Sequence, residues 1–179
     1  MTADTTAIAL ASEVSLLETL GLAPPPQDQR RRLLRFPLGT RDSGLLPLAD
    51  IVEVLQVPLT NVLPVPGVAD PVLGLCNWRG NMLWLVDFNA LAGYAPLVEG
   101  MAGQPLTVLI IRTPDKAMGL GISQFDDIEY SDLTHLHGAT PGLFPAQMYP
   151  FIAGILPGAQ GAVLDASAIL TTAHWQPAS

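Results

Sequence analysis

From residue 33 onward, the chain alternates between short apolar runs and turn-forming glycine and proline residues. Short runs of this kind, many of them rich in Val, Ile and Leu, are typical of β-strands. No long crossover helices separate these runs, so the pattern favours closed β-barrels over a parallel sheet. The predicted strands are 33–38, 44–48, 51–57, 61–65, 72–76, 82–86, 107–112, 118–122, 127–130, 151–155 and 161–164.

The first part of the chain follows a different period. Leu10, Val14, Leu17 and Gly21 recur at helical spacing, which predicts a helix over residues 5–22. The prolines at 24–26 end this helix and predict a stiff, extended linker. We therefore expect a helical extension with a proline-rich linker over residues 1–30 and a β domain over residues 31–175.

Residues 73–88 have the pattern of a β-hairpin with a polar tip, Asn77-Trp78-Arg79-Gly80-Asn81, between two apolar runs. Gly80 next to Asn81 supplies the positive-φ backbone that such a tip needs. Arg79 is unusual here because its permanent charge would be costly to bury without a partner.

Two stretches of the chain resemble each other. Gly74 opens a run that ends at Asp87, and Gly154 opens a similar run that ends at Asp165, each aspartate being placed to cap a short helix. Upstream, residues 33–54 match residues 108–130 more loosely. Two copies of one β unit are predicted, and they need not coincide with the barrels because neighbouring barrels can exchange strands. The second copy has Ala-Gln-Gly where the first has Trp-Arg-Gly, which favours a functional role for the arginine.

Composition narrows the classes of function. The net charge of -8, with a single lysine, argues against nucleic-acid binding and against an anionic lipid surface. Only 13% of residues are charged while 49% are hydrophobic, which indicates extensive burial and apolar surface for protein partners. The lone cysteine, Cys76, cannot form an intramolecular disulfide and is expected in the core. No apolar stretch is long enough to cross a membrane, so we expect a cytoplasmic protein without direct membrane insertion.

Catalytic and metal-binding patterns are weak. His135 and His137 follow Asp132, but no further ligand completes a metal site at a recognised spacing. Gly119 and Gly121 lack the third glycine of a phosphate-binding loop, and no serine lies in a nucleophile elbow. We therefore expect no enzymatic activity, cofactor or metal, although the barrel pattern alone would also suit a small enzyme or ligand-binding barrel.

Over roughly residues 33–172, the chain resembles the CheW-like adaptors of bacterial chemosensory arrays. The resemblance rests on an Ile-Val-Glu-Val patch at 51–54, a proline-rich approach at 63–67 and a G-x-x-N-x-R-G element with a downstream aspartate. The residues that carry this element are Gly74, Asn77, Arg79, Gly80 and Asp87. Trp84 departs from the pattern, because the family usually has a proline there.

The resemblance implies a mainly β fold: two SH3-like five-stranded β-barrels packed together, with short helices. It implies a non-enzymatic adaptor that couples the cytoplasmic tip of a chemoreceptor to the regulatory domain of a CheA-type histidine kinase, in chemotaxis, phototaxis or type IV pilus motility. Partners would hold the protein in receptor arrays at the membrane. The alternative is a structural array component that binds kinase regulatory domains or copies of itself without reading a receptor.

The implied partner-binding residues are Arg79, Asn77, Gly80, Ile51, Glu53 and Trp84. Simpler roles stay open for three of them. Arg79 would then tie the hairpin to a nearby carboxylate such as Asp87, Glu53 would be a solvated strand residue, and Trp84 would belong to the core.

Overall fold

The computed structural model describes residues 29–158 and 161–172, which contain ten β-strands and two short α-helices. The strands are β1 (Arg30–Leu38), β2 (Asp42–Pro47), β3 (Ile51–Val57), β4 (Val72–Trp78), β5 (Asn81–Asp87), β6 (Leu106–Arg112), β7 (Ala117–Ile122), β8 (Asp127–Asp132), β9 (Ile152–Ile155) and β10 (Ala162–Leu164). The helices are α1 (Phe88–Leu91) and α2 (Ala166–Thr172). No helix in this part of the chain is long and apolar enough to cross a membrane. The predicted helix over residues 5–22 and the prolines after it lie outside the described residues.

The strands form two five-stranded sheets. The first sheet has the order β8-β1-β2-β10-β9, and the second has the order β3-β6-β7-β5-β4. Neighbouring strands are antiparallel except for β2 with β10 and β5 with β7, which are parallel. The predicted mainly β fold with two five-stranded units is confirmed.

Each sheet curls so that its two edges approach each other. Leu63, which follows edge strand β3, forms an isolated β-bridge with Leu75 on the opposite edge strand, β4. In the first sheet, His137 follows edge strand β8 and forms the equivalent bridge with Ile155 on β9. Since each bridge joins opposite ends of a sheet order, both sheets close as small barrels.

The two sequence copies do not coincide with the two barrels. Strands β1–β5 belong to the first copy and β6–β10 to the second. The first sheet takes its central hairpin, β1–β2, from the first copy and β8, β9 and β10 from the second. The second sheet takes its central hairpin, β6–β7, from the second copy and β3, β4 and β5 from the first. The two barrels thus exchange strands, which the sequence had left open.

The largest hydrophobic core lies between the two barrels. Phe88 at the start of α1 contacts Phe36 on β1 edge to face, with ring centroids 6.0 Å apart, and lies 6.2 Å from Phe151. Smaller cores fill the interior of each barrel, around Leu33 in the first and around Cys76 in the second. Cys76 is 2% exposed, which confirms its predicted place in the core. Central strands are therefore buried on both faces, and this explains the low share of charged residues.

One predicted strand is wrong. The segment 61–65 contains the end of a 3-10 turn, Leu59–Asn61, and joins a sheet only through the bridge at Leu63. Pro64 lies within this segment, and Pro58 and Pro66 lie on either side of it. Because proline has no N–H to donate, the segment cannot form a continuous ladder with β4. The other ten predicted strands correspond to the ten observed strands within a few residues.

Candidate protein-interaction site

The hairpin predicted around residue 79 is formed by β4 and β5. Trp78 and Asn81 are its last paired residues, so Arg79 and Gly80 make a two-residue turn. Their φ angles are +50° and +82°, as a type I′ turn requires at both central positions. The Gly80 N–H donates to the Asn77 side-chain oxygen at 3.3 Å, which supports the turn from one side.

Arg79 occupies a backbone conformation that its residue type disfavours. It is the one non-glycine residue with positive φ in residues 29–158 and 161–172. The left-handed conformation costs an ordinary residue about 1 to 2 kcal/mol, and asparagine or glycine would fit this position better. A residue that opposes its local backbone preference is a candidate for function.

Three side chains meet at the hairpin tip: Glu53, Trp78 and Arg79, hereafter the tip triad. One carboxylate oxygen of Glu53, Oε2, accepts the Trp78 indole N–H at 2.7 Å and lies 3.1 Å from Arg79 Nη2. The Arg79 guanidinium carbon also lies 5.3 Å from the Trp78 ring centroid, within cation–π range. Because Glu53 is on β3 and Trp78 on β4, the triad joins the two edge strands of the second sheet.

The triad bears on two of the simpler interpretations: Arg79 does tie the hairpin to a nearby carboxylate, but the residue suggested for that role was the wrong one. Arg79 pairs with Glu53 and not with Asp87, and Glu53 is a half-buried acceptor for two donors rather than a solvated strand residue. Asp87 is 1% exposed and serves the fold. Its two oxygens accept the Ala90 N–H at 3.1 Å and the Leu97 N–H at 2.6 Å, and burial raises the pKa of this carboxyl.

The triad leaves most of the arginine accessible. The Arg79 side chain is 67% exposed, against 31% for Glu53. An ion pair this exposed contributes little to folding stability. The contact with Glu53 uses Nη2, so the guanidinium still presents N–H donors outward in a direction that Glu53 and the Trp78 ring help to set.

Apolar side chains stand exposed near the triad. β3 is an edge strand on which Ile51, Glu53 and Leu55 are half-buried, while Val52 and Val54 point the other way and are exposed. Met82, beside the hairpin turn, is also exposed. Exposed apolar residues on an edge strand are suited to contact with another protein.

Ile51 and Trp84 make their contacts with the main core rather than with the triad. Both are half-buried and pack against the main core between the barrels. Trp84 lies on β5 opposite Leu75 of β4. The structure thus brings together Glu53, Asn77, Arg79 and Gly80 at the hairpin tip and gives Ile51 and Trp84 a place at the margin of the core.

Trp78 was not among the residues predicted for the site. It lies between Asn77 and Arg79, but the G-x-x-N-x-R-G element leaves its position open, which hides the need for an N–H donor. The partnership with Glu53 depends on closure of the barrel, which brings together residues 25 positions apart.

The segment 132–137, which contains His135 and His137, shows local pairing. Asp132 accepts the backbone and side-chain donors of Thr134 at 2.8 and 2.6 Å, which holds the pKa of this carboxyl below its usual value. His135 Nδ1 lies 3.6 Å from the same carboxylate and is exposed. Across the described ranges, no group of three or more His, Cys, Asp or Glu side chains is placed to hold a metal ion.

The profile of the CheW-like domain family matches residues 32–174. The fold is similar to the crystal structure of the scaffolding protein TtCheW from Thermoanaerobacter tengcongensis, with a TM-score of 0.63 and 16% sequence identity. That likeness covers 76% of this chain and 89% of the other. A search of curated proteins found no match. Since the family profile spans most of its length, this chain belongs to the CheW-like domain family of chemotaxis scaffolds and adaptors.

Proposed function

We propose that this chain is a non-enzymatic adaptor that couples a chemoreceptor tip to the regulatory domain of a CheA-type histidine kinase. The observation that carries the proposal is the placement of Arg79 at the hairpin tip. Its side chain is oriented by Glu53 and Trp78, is largely exposed and is held in a backbone conformation that favours other residue types. A turn with a purely structural role would not require an exposed, oriented side chain in an unfavourable backbone conformation.

The chemistry of the tip suits recognition of a protein surface. A guanidinium presents several N–H donors in one plane and can hold a carboxylate or a pair of backbone carbonyls. Val52 and Val54 would add apolar contact area beside it. We assign Arg79 and Glu53 to direct contact, and Asn77 and Gly80 to shaping the turn.

Ile51 and Trp84 belong to a second part of the proposed binding surface, apart from the hairpin tip. Their half-buried side chains line the margin of the core between the barrels, where an amphipathic receptor helix would find apolar anchors. Binding to receptor and kinase would hold the protein in membrane-associated arrays through its partners.

The test is a reconstituted mixture of a receptor tip fragment, a CheA-type kinase and this protein. We expect the wild type to bind both partners and to place kinase activity under receptor control, and Arg79→Asn to lose most of that control while staying folded. Arg41→Asn removes an exposed arginine from the β1–β2 turn and serves as the matched control. Normal binding and normal kinase control by Arg79→Asn would remove Arg79 from the proposed function.

A structural array component is the second candidate function. Ile128 and Tyr130 are exposed on β8, the strand that corresponds to β3 in the other copy, so both barrels present an apolar edge strand. Two such edges suit assembly with kinase regulatory domains or other copies. Kinase binding or self-association without any binding of a receptor tip fragment would favour this candidate over the adaptor.

A further inference from the structure

A basic cleft opens on the first barrel of this acidic protein. It has a volume of about 460 Å³ and is lined by Arg30, Arg31, Arg32, Pro47, Leu48, Ala49 and Tyr130. These three arginines are among only eight basic residues in a chain with sixteen acidic ones. The cleft is therefore the site on the described surface where positive charge is concentrated in consecutive residues.

The cleft is apolar as well as basic. Leu48, in the 3-10 turn Leu48–Asp50, packs half-buried against the main core. Tyr130 is 61% exposed and lies directly across from Arg32 in the β1–β8 pairing. Leu48 and Tyr130 thus give the cleft an apolar wall, and the arginines give it a charged rim. An amphipathic, acidic segment fits such a cleft.

The chain itself carries a segment with that chemistry. Residues 1–28 contain four acidic residues, Asp4, Glu13, Glu18 and Asp28, and no lysine, arginine or histidine. At about 100° per residue, the predicted helix over 5–22 places Leu10, Val14 and Leu17 in one stripe. Viewed down the axis of this predicted helix, Glu13 lies about 60° to one side of Leu10 and Glu18 about 80° to the other side. An apolar stripe with acids on both sides complements an apolar cleft with a basic rim.

The covalent connection favours this occupant. Residue 28 is followed directly by Gln29 and by Arg30, which lines the cleft. Residues 23–29 can extend about 25 Å, enough for a helix of about 27 Å to turn back over the first barrel. A tethered segment also acts at a high effective concentration, which favours it over a second copy of the chain.

We propose that residues 5–22 fold back as an amphipathic helix onto the arginine cleft of the first barrel. Leu10, Val14 and Leu17 pack toward Leu48 and Ala49. Glu13 and Glu18 face Arg31 and Arg32.

Hydrogen–deuterium exchange of the full chain tests the proposal at the backbone of Leu48–Asp50 and β8. We expect Glu13→Gln/Glu18→Gln and Arg31→Gln/Arg32→Gln each to speed exchange there about fivefold. Arg41→Gln/Arg112→Gln, which removes two exposed arginines elsewhere, should leave it unchanged. Combining Glu13→Arg/Glu18→Arg with Arg31→Glu/Arg32→Glu should restore the slow exchange, because the charges are exchanged and not removed.

Two results would overturn the proposal. One is unchanged exchange in Glu13→Gln/Glu18→Gln and also after deletion of residues 1–28. The other is protection that rises with protein concentration together with a doubled mass in light scattering, which would assign the cleft to a second copy.

Discussion

Arg79 shows how a functional candidate can be recognised from backbone conformation. The Asn-Gly and Asp-Gly pairs favoured in two-residue hairpin turns stabilise the positive φ angles, yet this turn has Arg-Gly. The contacts of Arg79 with Glu53 and Trp78 are largely exposed, so they offset only part of the conformational cost. The remainder is a stability cost that a binding role would explain.

Two substitutions at position 79 separate conformation from charge. Arg79→Asn removes the guanidinium but suits positive φ, so we expect its unfolding free energy to stay within about 1 kcal/mol of wild type. Arg79→Val also removes the guanidinium, and its β-branched side chain disfavours positive φ, so we expect a loss of about 2 kcal/mol or more. Urea unfolding measures both. An equal loss in the two variants would show that the contacts of the guanidinium, and not the turn, hold the tip.

Among the elements, hydrophobic patterning predicted the strands better than it predicted their partners. Alternating and apolar runs located ten strands, and most of these strands bury residues on at least one face, although β8 exposes Ile128 and Tyr130. The strand predicted over 61–65 does not form, because prolines within and beside the segment lack the N–H that a ladder needs, and this local effect outweighs the apolar character. The hairpin tip was predicted as a candidate site, but the contact of Glu53 with Trp78 and Arg79 follows from barrel closure. No local pattern encodes which distant strands will meet.

The two helix-capping aspartates were predicted as equivalents, and their hydrogen bonds show how they differ. Asp165 uses one oxygen, Oδ1, for both the Ser167 and Ala168 N–H groups. Asp87 uses one oxygen for Ala90 and the other for Leu97. An asparagine side chain has only one acceptor oxygen, so it can make the hydrogen bonds of Asp165 but not those of Asp87. At position 87, its NH₂ group would face the Leu97 N–H.

The same substitution at these two caps should therefore have unequal effects. We expect Asp165→Asn to change the unfolding free energy by only about 0.3 kcal/mol. Asp87→Asn should cost about 1 to 3 kcal/mol, because it leaves a buried donor unsatisfied. Thermal and urea unfolding of both variants, side by side, measures the difference. Equal losses would mean that the second oxygen of Asp87 adds nothing to the cap.

At the scale of the whole molecule, exchange of strands makes each barrel depend on both sequence copies. β1 pairs with β8 and β2 with β10 in the first sheet, while β3 pairs with β6 and β5 with β7 in the second. Every one of these pairings joins one copy to the other. The main core adds to this dependence, because Phe36 and Phe88 come from the first copy and Phe151 from the second.

A cut between the copies should therefore leave a folded complex of two fragments that do not fold alone. The connection near Gly103 is a suitable place for an inserted protease site, because this residue is exposed and a side chain there would meet no neighbouring atoms. After cleavage, we expect the halves to elute together in gel filtration with native near-ultraviolet circular dichroism. Separated in denaturant, each half should lack that signal, and mixing should restore it because four strand pairings re-form across the cut. A native-like signal from either half alone would show that one copy can close a barrel without strands from the other.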